Sequence, residues 1–175
     1  MKAEVARMQA ETVERKMEER EGIAKREALA EVLEIDDAKV LDKLVDLEMC
    51  GSSVVAFSLV PMVAVAWADW EIQKKEREAI MKAASEHGIV GDCLASKVLE
   101  RWLNSKPSSE LYRAWKEYAH VLAEGLDEQS LAKIKDATIG RARAVAESAG
   151  GFLGLGSKIS ADEQAVLDDL EEAFS

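Results

Sequence analysis

Apolar positions recur three and four residues apart through most of this chain, the spacing of one face of an α-helix. Val40, Leu41, Leu44 and Leu47 form such a face, and Gly51 ends it. Helices are predicted over about 73–87, 92–104, 108–125, 128–149 and 161–174. Leu94, Val98, Leu99, Trp102 and Leu103 face inward in the second of these, and Leu111, Trp115, Ala119 and Leu122 in the third. Leu131, Ile134, Ala142 and Val145 do so in the fourth, and Val166, Leu167, Leu170 and Phe174 in the last. Asp36 or Asp37, Asp92 and Asp127 stand where helix N-caps belong. Gly88 and the pair Gly150–Gly151 stand at helix ends. The alternation that would mark strands is almost absent.

Two stretches break this pattern. Residues 2–34 read as one long charged helix with a thin apolar stripe at Val5, Met8, Val13 and Met17. The stripe is too narrow to be buried alone and is not a sustained heptad. The segment is expected to be a solvated arm that meets a protein partner or a second copy. The run Met49–Ala68 has the opposite character, 20 residues without a charge. Its length could span a bilayer, but it carries Gly51, three serines and Pro61 and has no basic cluster beside it. It reads as the central helix of a bundle, with Pro61 kinking it or opening a fresh turn capped by Ser58. Membrane association through residues 49–68, or through the apolar loop Phe152–Leu155, is the competing reading.

Composition sharpens the picture in a few places. With 48% hydrophobic and 33% charged residues over 175 positions, a core and a solvated surface can coexist. A net charge of −11 repels a phosphate backbone and argues against nucleic-acid binding. Cys50 and Cys93 stand in apolar contexts and read as small reduced core residues. With two histidines and no close spacing, a zinc site is not expected. His87 is placed at a helix C-terminus, and His120 reads as a partly buried structural histidine beside Trp115 and Tyr118. No nucleophile–base pattern, dinucleotide loop or phosphate loop is present. The chain is therefore not expected to be an enzyme or to hold a cofactor. Its charged N-terminus lacks a secretory h-region, which gives a cytoplasmic expectation.

One local pattern occurs twice. Ile72, Gln73 and Glu76 precede Ala79 and Ile80, while Ile159, Ser160 and Glu163 precede Val166 and Leu167. Ser160-Ala161-Asp162-Glu163 fits a capping box, in which the glutamate returns to the cap's backbone N–H. Gln73 is a poorer cap residue than Ser160.

The stretch Val63–Ile72 with Glu76, and its partial echo Gly156–Glu163, resembles the TerB-like family of tellurite-resistance proteins. The resembled element is an apolar helix ending in Ala-Asp-Gly, then an aliphatic residue and a helix-opening glutamate. Here Trp70 stands at the glycine position, and Gly156 stands where the second aspartate would be. The resemblance covers about residues 51–175 in arrangement, with specific motifs over about 25 of them. It implies an all-α fold: a single bundle of about seven helices over 35–175, with the charged arm over 1–34 as an extension. It further implies a non-catalytic binding or scaffold module of an intracellular stress-related complex. A divalent cation held by acidic residues at the turns is a further implication. Carried over by position, the candidate ligands are Asp69, Glu71, Glu76, Asp162 and Glu163.

Overall fold

A computed structural model describes residues 2–33, 35–46, 51–86, 88–149 and 159–175. Among the described residues every regular element is an α-helix: α1 (Lys2–Leu33), α2 (Ala38–Asp46), α3 (Gly51–Phe57), α4 (Val60–Ala66), α5 (Lys74–Glu86), α6 (Leu94–Asn104), α7 (Ser109–Gly125), α8 (Glu128–Ala149) and α9 (Ala161–Glu172). The all-α expectation holds. The chain divides into two compact units, Met1–Gly51 and Ser52–Ser175. The boundary expected at 34/35 therefore falls inside the first unit.

In the first unit, α2 folds back on α1. The Asp37 carboxylate accepts the Lys39 and Val40 amides at 2.9 and 3.1 Å, so it is Asp37 that caps α2. Val40, Leu41 and Leu44 are buried, as are Leu29 and Ile35. Arg26 pairs with Asp42 between the two helices. Farther toward the N-terminus, α1 leaves Val13, Met17 and Ile23 exposed.

In the second unit, α4 is the element that the others surround. Val60, Pro61, Met62, Val63, Val65 and Ala66 are all buried, and the helix packs against α5, α7, α8 and α9. The expected central helix over 51–68 is instead two helices. Pro61 lies in the first turn of α4, where its missing N–H costs nothing, but its ring forbids continuation from α3. Ser58 does not cap the new helix: its hydroxyl donates back to the Val55 carbonyl at 2.7 Å, and Leu59 holds the cap position without a side-chain bond. Each piece has 7 residues, about 10 Å of helix against a hydrocarbon layer of about 30 Å. No helix among the described residues is long and apolar enough to cross a membrane.

The core joins Leu59, Met62, Val63 and Ala66 of the α3–α4 region to Ile80 and Ala84 of α5, Leu99 and Leu103 of α6 and Val145 of α8. Trp115 is buried edge-on to Phe174, with the Tyr112 ring stacked beside it. Two expectations fail here. Cys93 is exposed rather than core, and its Sγ accepts the Ser96 amide at 3.4 Å as the cap of α6, while Asp92 pairs with Lys97. His120 is also exposed, 3.5 Å from Glu124, because it falls off the face formed by Trp115, Tyr118, Ala119 and Leu122. Cys50, His87 and the Phe152–Leu155 loop lie outside the described residues.

Candidate functional site

The repeated pattern builds two matching helix starts. Before α9, the Ser160 hydroxyl accepts the Glu163 amide at 3.2 Å and the Glu163 carboxylate accepts the Ser160 amide at 2.6 Å, a complete capping box. Before α5, the Glu76 carboxylate accepts the Gln73 amide at 2.7 Å. Ile80 and Leu167, which occupy equivalent positions, are both fully buried. The glutamates go in with them: Glu76 is 3% exposed and Glu163 8%.

Burial pushes the Glu76 carboxyl up to about 7; the Gln73 amide opposes this, and the nearby charges of Glu163 and Asp69 add to it. The two helix starts therefore lie within electrostatic reach of each other. Of the five acidic residues implied by the family resemblance, the fold brings together Glu76, Glu163 and Asp69. Asp69, Glu71 and Asp162 are all exposed, so of the five only Glu76 and Glu163 are buried. Asp69 accepts the Glu71 amide at 3.3 Å, a local turn bond. Among the described residues no group of three His, Cys, Asp or Glu side chains is arranged to hold a metal ion. Glu76 and Glu163 each have one oxygen committed to a backbone amide, and a hard cation asks for six or more oxygens. The acidic turns do not fit a resident divalent cation; they fit helix caps.

The same turn builds something else. After α4, the Trp67 amide bonds back to Val63, the Ala68 amide to Val65 and the Trp70 amide to Trp67. This tight winding leaves Trp70 at φ 70°, in the left-handed region that side chains other than glycine rarely occupy. The residue is 76% exposed. Lys106, from the α6–α7 connection, crosses to this turn: its Nζ lies 3.6 Å from the centre of the Trp70 ring and donates to the Trp67 carbonyl at 3.1 Å. The Trp67 indole N–H donates to the Trp102 carbonyl at 2.8 Å, and the Arg77 guanidinium to the Leu103 carbonyl at 2.6 Å. The α4–α5 turn is thus tied to the end of α6 by side-chain bonds from both of its sides.

Between this turn and the start of α7 lies a groove of about 350 Å³. Its floor is Val60, Val63 and Ala64 of α4. Leu111 and Tyr112 of α7 form one wall, Val166 of α9 contributes to the lining, and Trp67 and Trp70 stand at the turn. Lys106 is the only charged side chain lining it among the described residues. Tyr112 is fixed from behind, where its hydroxyl donates to Asp169 at 2.9 Å. Lys116 donates to the other Asp169 oxygen at 2.5 Å. Burial works against ionised Asp169, but these two bonds hold its carboxyl below the usual range. Burial, then the bond to Asp169, pushes the Tyr112 phenol well above its ordinary value, so it stays neutral at the groove wall.

Sequence reasoning singled out Trp70 but missed Lys106, which reaches the Trp67 carbonyl from 39 residues away, and Tyr112, which lines the same groove. No protein-family model matches this chain, and no curated protein or solved structure does.

Proposed function

We propose that this chain is a non-catalytic binding module of the TerB-like kind, and that the groove between the Trp67–Trp70 turn and α7 is where it binds. The observation that carries this reading is Trp70. A large apolar ring is held exposed, on left-handed backbone, at the rim of an apolar groove. Such a conformation costs of order 1–3 kcal/mol, and strain of this kind collects at ligand clamps. The left-handed residue also falls where the resembled motif has glycine, so the turn keeps that motif's backbone while adding a ring. The setting implied by the resemblance is a cytoplasmic stress-related complex.

Catalysis is the less economical reading. Glu76, whose carboxyl is pushed up to about 7, is almost fully buried and bonded to a backbone amide, a poor position for work on a substrate. The groove offers a lysine, a neutral phenol and two serines, and no base beside a nucleophile.

Binding is tested with N-phenyl-1-naphthylamine, a neutral apolar fluorophore. Saturable fluorescence at one probe per chain is expected, abolished by Ala64→Arg, which fills the floor, while far-UV circular dichroism stays unchanged. Wild-type protein that gives no saturable signal would overturn the reading, as would an Ala64→Arg variant that binds equally well.

A further inference from the structure

We infer that the groove takes an amphiphilic monocarboxylate, a free acid with an aliphatic tail of medium length; this rests on the binding reading above. The walls are apolar from Val60 through Val63 and Ala64 to Leu111 and Val166, which suits a hydrocarbon tail and offers it no hydrogen bond. The head group is chosen by charge. In a chain of net charge −11, the only charged group lining this groove among the described residues is the Lys106 ammonium. A cation lining an apolar groove in an acidic protein selects an anion over a neutral or cationic head.

The ammonium has capacity left for a ligand. Lysine carries three donors; one goes to the Trp67 carbonyl, and the Trp70 face lies against the charge. These contacts position the ammonium rather than neutralise it, because neither partner carries a negative charge. Ser108, the cap of the 17-residue α7, also lines the groove and makes no side-chain cap bond, although Glu110 in the same first turn offsets the positive end of the helix, so the charge selection rests on Lys106. The volume, about 350 Å³, is at the small end of the range for small-molecule sites. That size favours a short acyl chain over a peptide helix, which needs a long groove with several anchor positions.

The test is a calorimetric titration of the full chain with decanoate, decanol, decyltrimethylammonium and acetate. Decanoate is expected to bind one per chain, at least tenfold more tightly than decanol, with the cation and acetate not binding. Octanoate should be about fifteenfold weaker than decanoate, since each of the two missing methylenes is worth roughly a fourfold change in affinity. Lys106→Met keeps the apolar stem, so it should remove the preference for decanoate over decanol. Decanol binding as tightly as decanoate, or a Lys106→Met variant that keeps the preference, overturns the carboxylate assignment. So does an apolar C-terminal peptide that outcompetes decanoate, which would make the occupant a protein. Failure of decanoate with naphthylamine still saturating sinks this inference alone; failure of both sinks the binding reading as well.

Discussion

Glu76 lets the electrostatics of the α5 start be weighed in solution. Its carboxyl goes from an ordinary 4.5 to about 7 on folding. Each tenfold change in proton affinity is worth about 1.4 kcal/mol, so the ionised form carries a penalty of up to roughly 3 kcal/mol, reduced by solvent screening to about 2 kcal/mol. The sign follows from proton counting. Between 4.5 and about 7 the folded chain holds the Glu76 proton and the unfolded chain does not. Stability from this group therefore falls as pH rises through that window, and the full penalty stands above it. Glu76→Gln keeps an oxygen to accept the Gln73 amide and deletes the charge. By urea unfolding followed by circular dichroism, it is expected to be more stable than wild type by about 2 kcal/mol at pH 8 and equal to within about 0.5 kcal/mol at pH 5. Glu76→Ala loses the amide partner and should be less stable at pH 5 by about 1–2 kcal/mol. A Glu76→Gln protein that is less stable than wild type at pH 8, or a gap that is the same at both pH values, would refute the reasoning.

Two further outcomes follow from the groove's supports. Asp169→Ala removes the acceptor of Tyr112 and Lys116 and should lower stability by about 1–2 kcal/mol at pH 7. Because the Asp169 carboxyl is depressed in the fold, that loss should shrink as pH falls below 4 in the same unfolding assay. Trp70→Gly relieves the left-handed residue but deletes the ring over Lys106. Differential scanning calorimetry should show unchanged or raised stability, by at most about 1 kcal/mol, while naphthylamine affinity drops severalfold.

What the sequence revealed of this fold was what short-range chemistry decides. Asp37 and Asp127 cap their helices as expected, the latter through Ser130, and Ser160 with Glu163 completes its box, because each bond spans only two or three residues. The predicted inward residues of α7 are at least half buried, with Trp115, Ala119 and Leu122 fully so. Errors came where a neighbour in sequence stood in for a neighbour in space. His120 adjoins buried Ala119 yet lies on the opposite side of the helix period. At α6 the cap is Cys93, one residue after Asp92, whose carboxylate meets Lys97 at the surface. The uncharged run predicted as one central helix broke at the Ser58–Pro61 step, where a serine that could cap turned back to Val55.

The site was hardest to read. Trp67 and Trp70 were visible as tryptophans at the end of a neutral run, but nothing local told that Lys106 would cross to them. The acidic residues at the turns were visible too, and the family resemblance implied that they were ligands. The burial of Glu76 and Glu163 beside backbone amides, which makes these two caps instead, depends on the packing of α5 and α9.

The groove at the Trp67–Trp70 turn is tested most directly by fluorine NMR of protein labelled with 5-fluorotryptophan. The chain has four tryptophans, and two of them, Trp67 and Trp70, line the groove. Titration with decanoate is predicted to move those two resonances, assigned by single Trp→Phe variants, and to leave Trp102 and Trp115 in place. A titration that moves neither groove resonance, or that moves Trp115 instead, would contradict the assignment of this groove as the binding site.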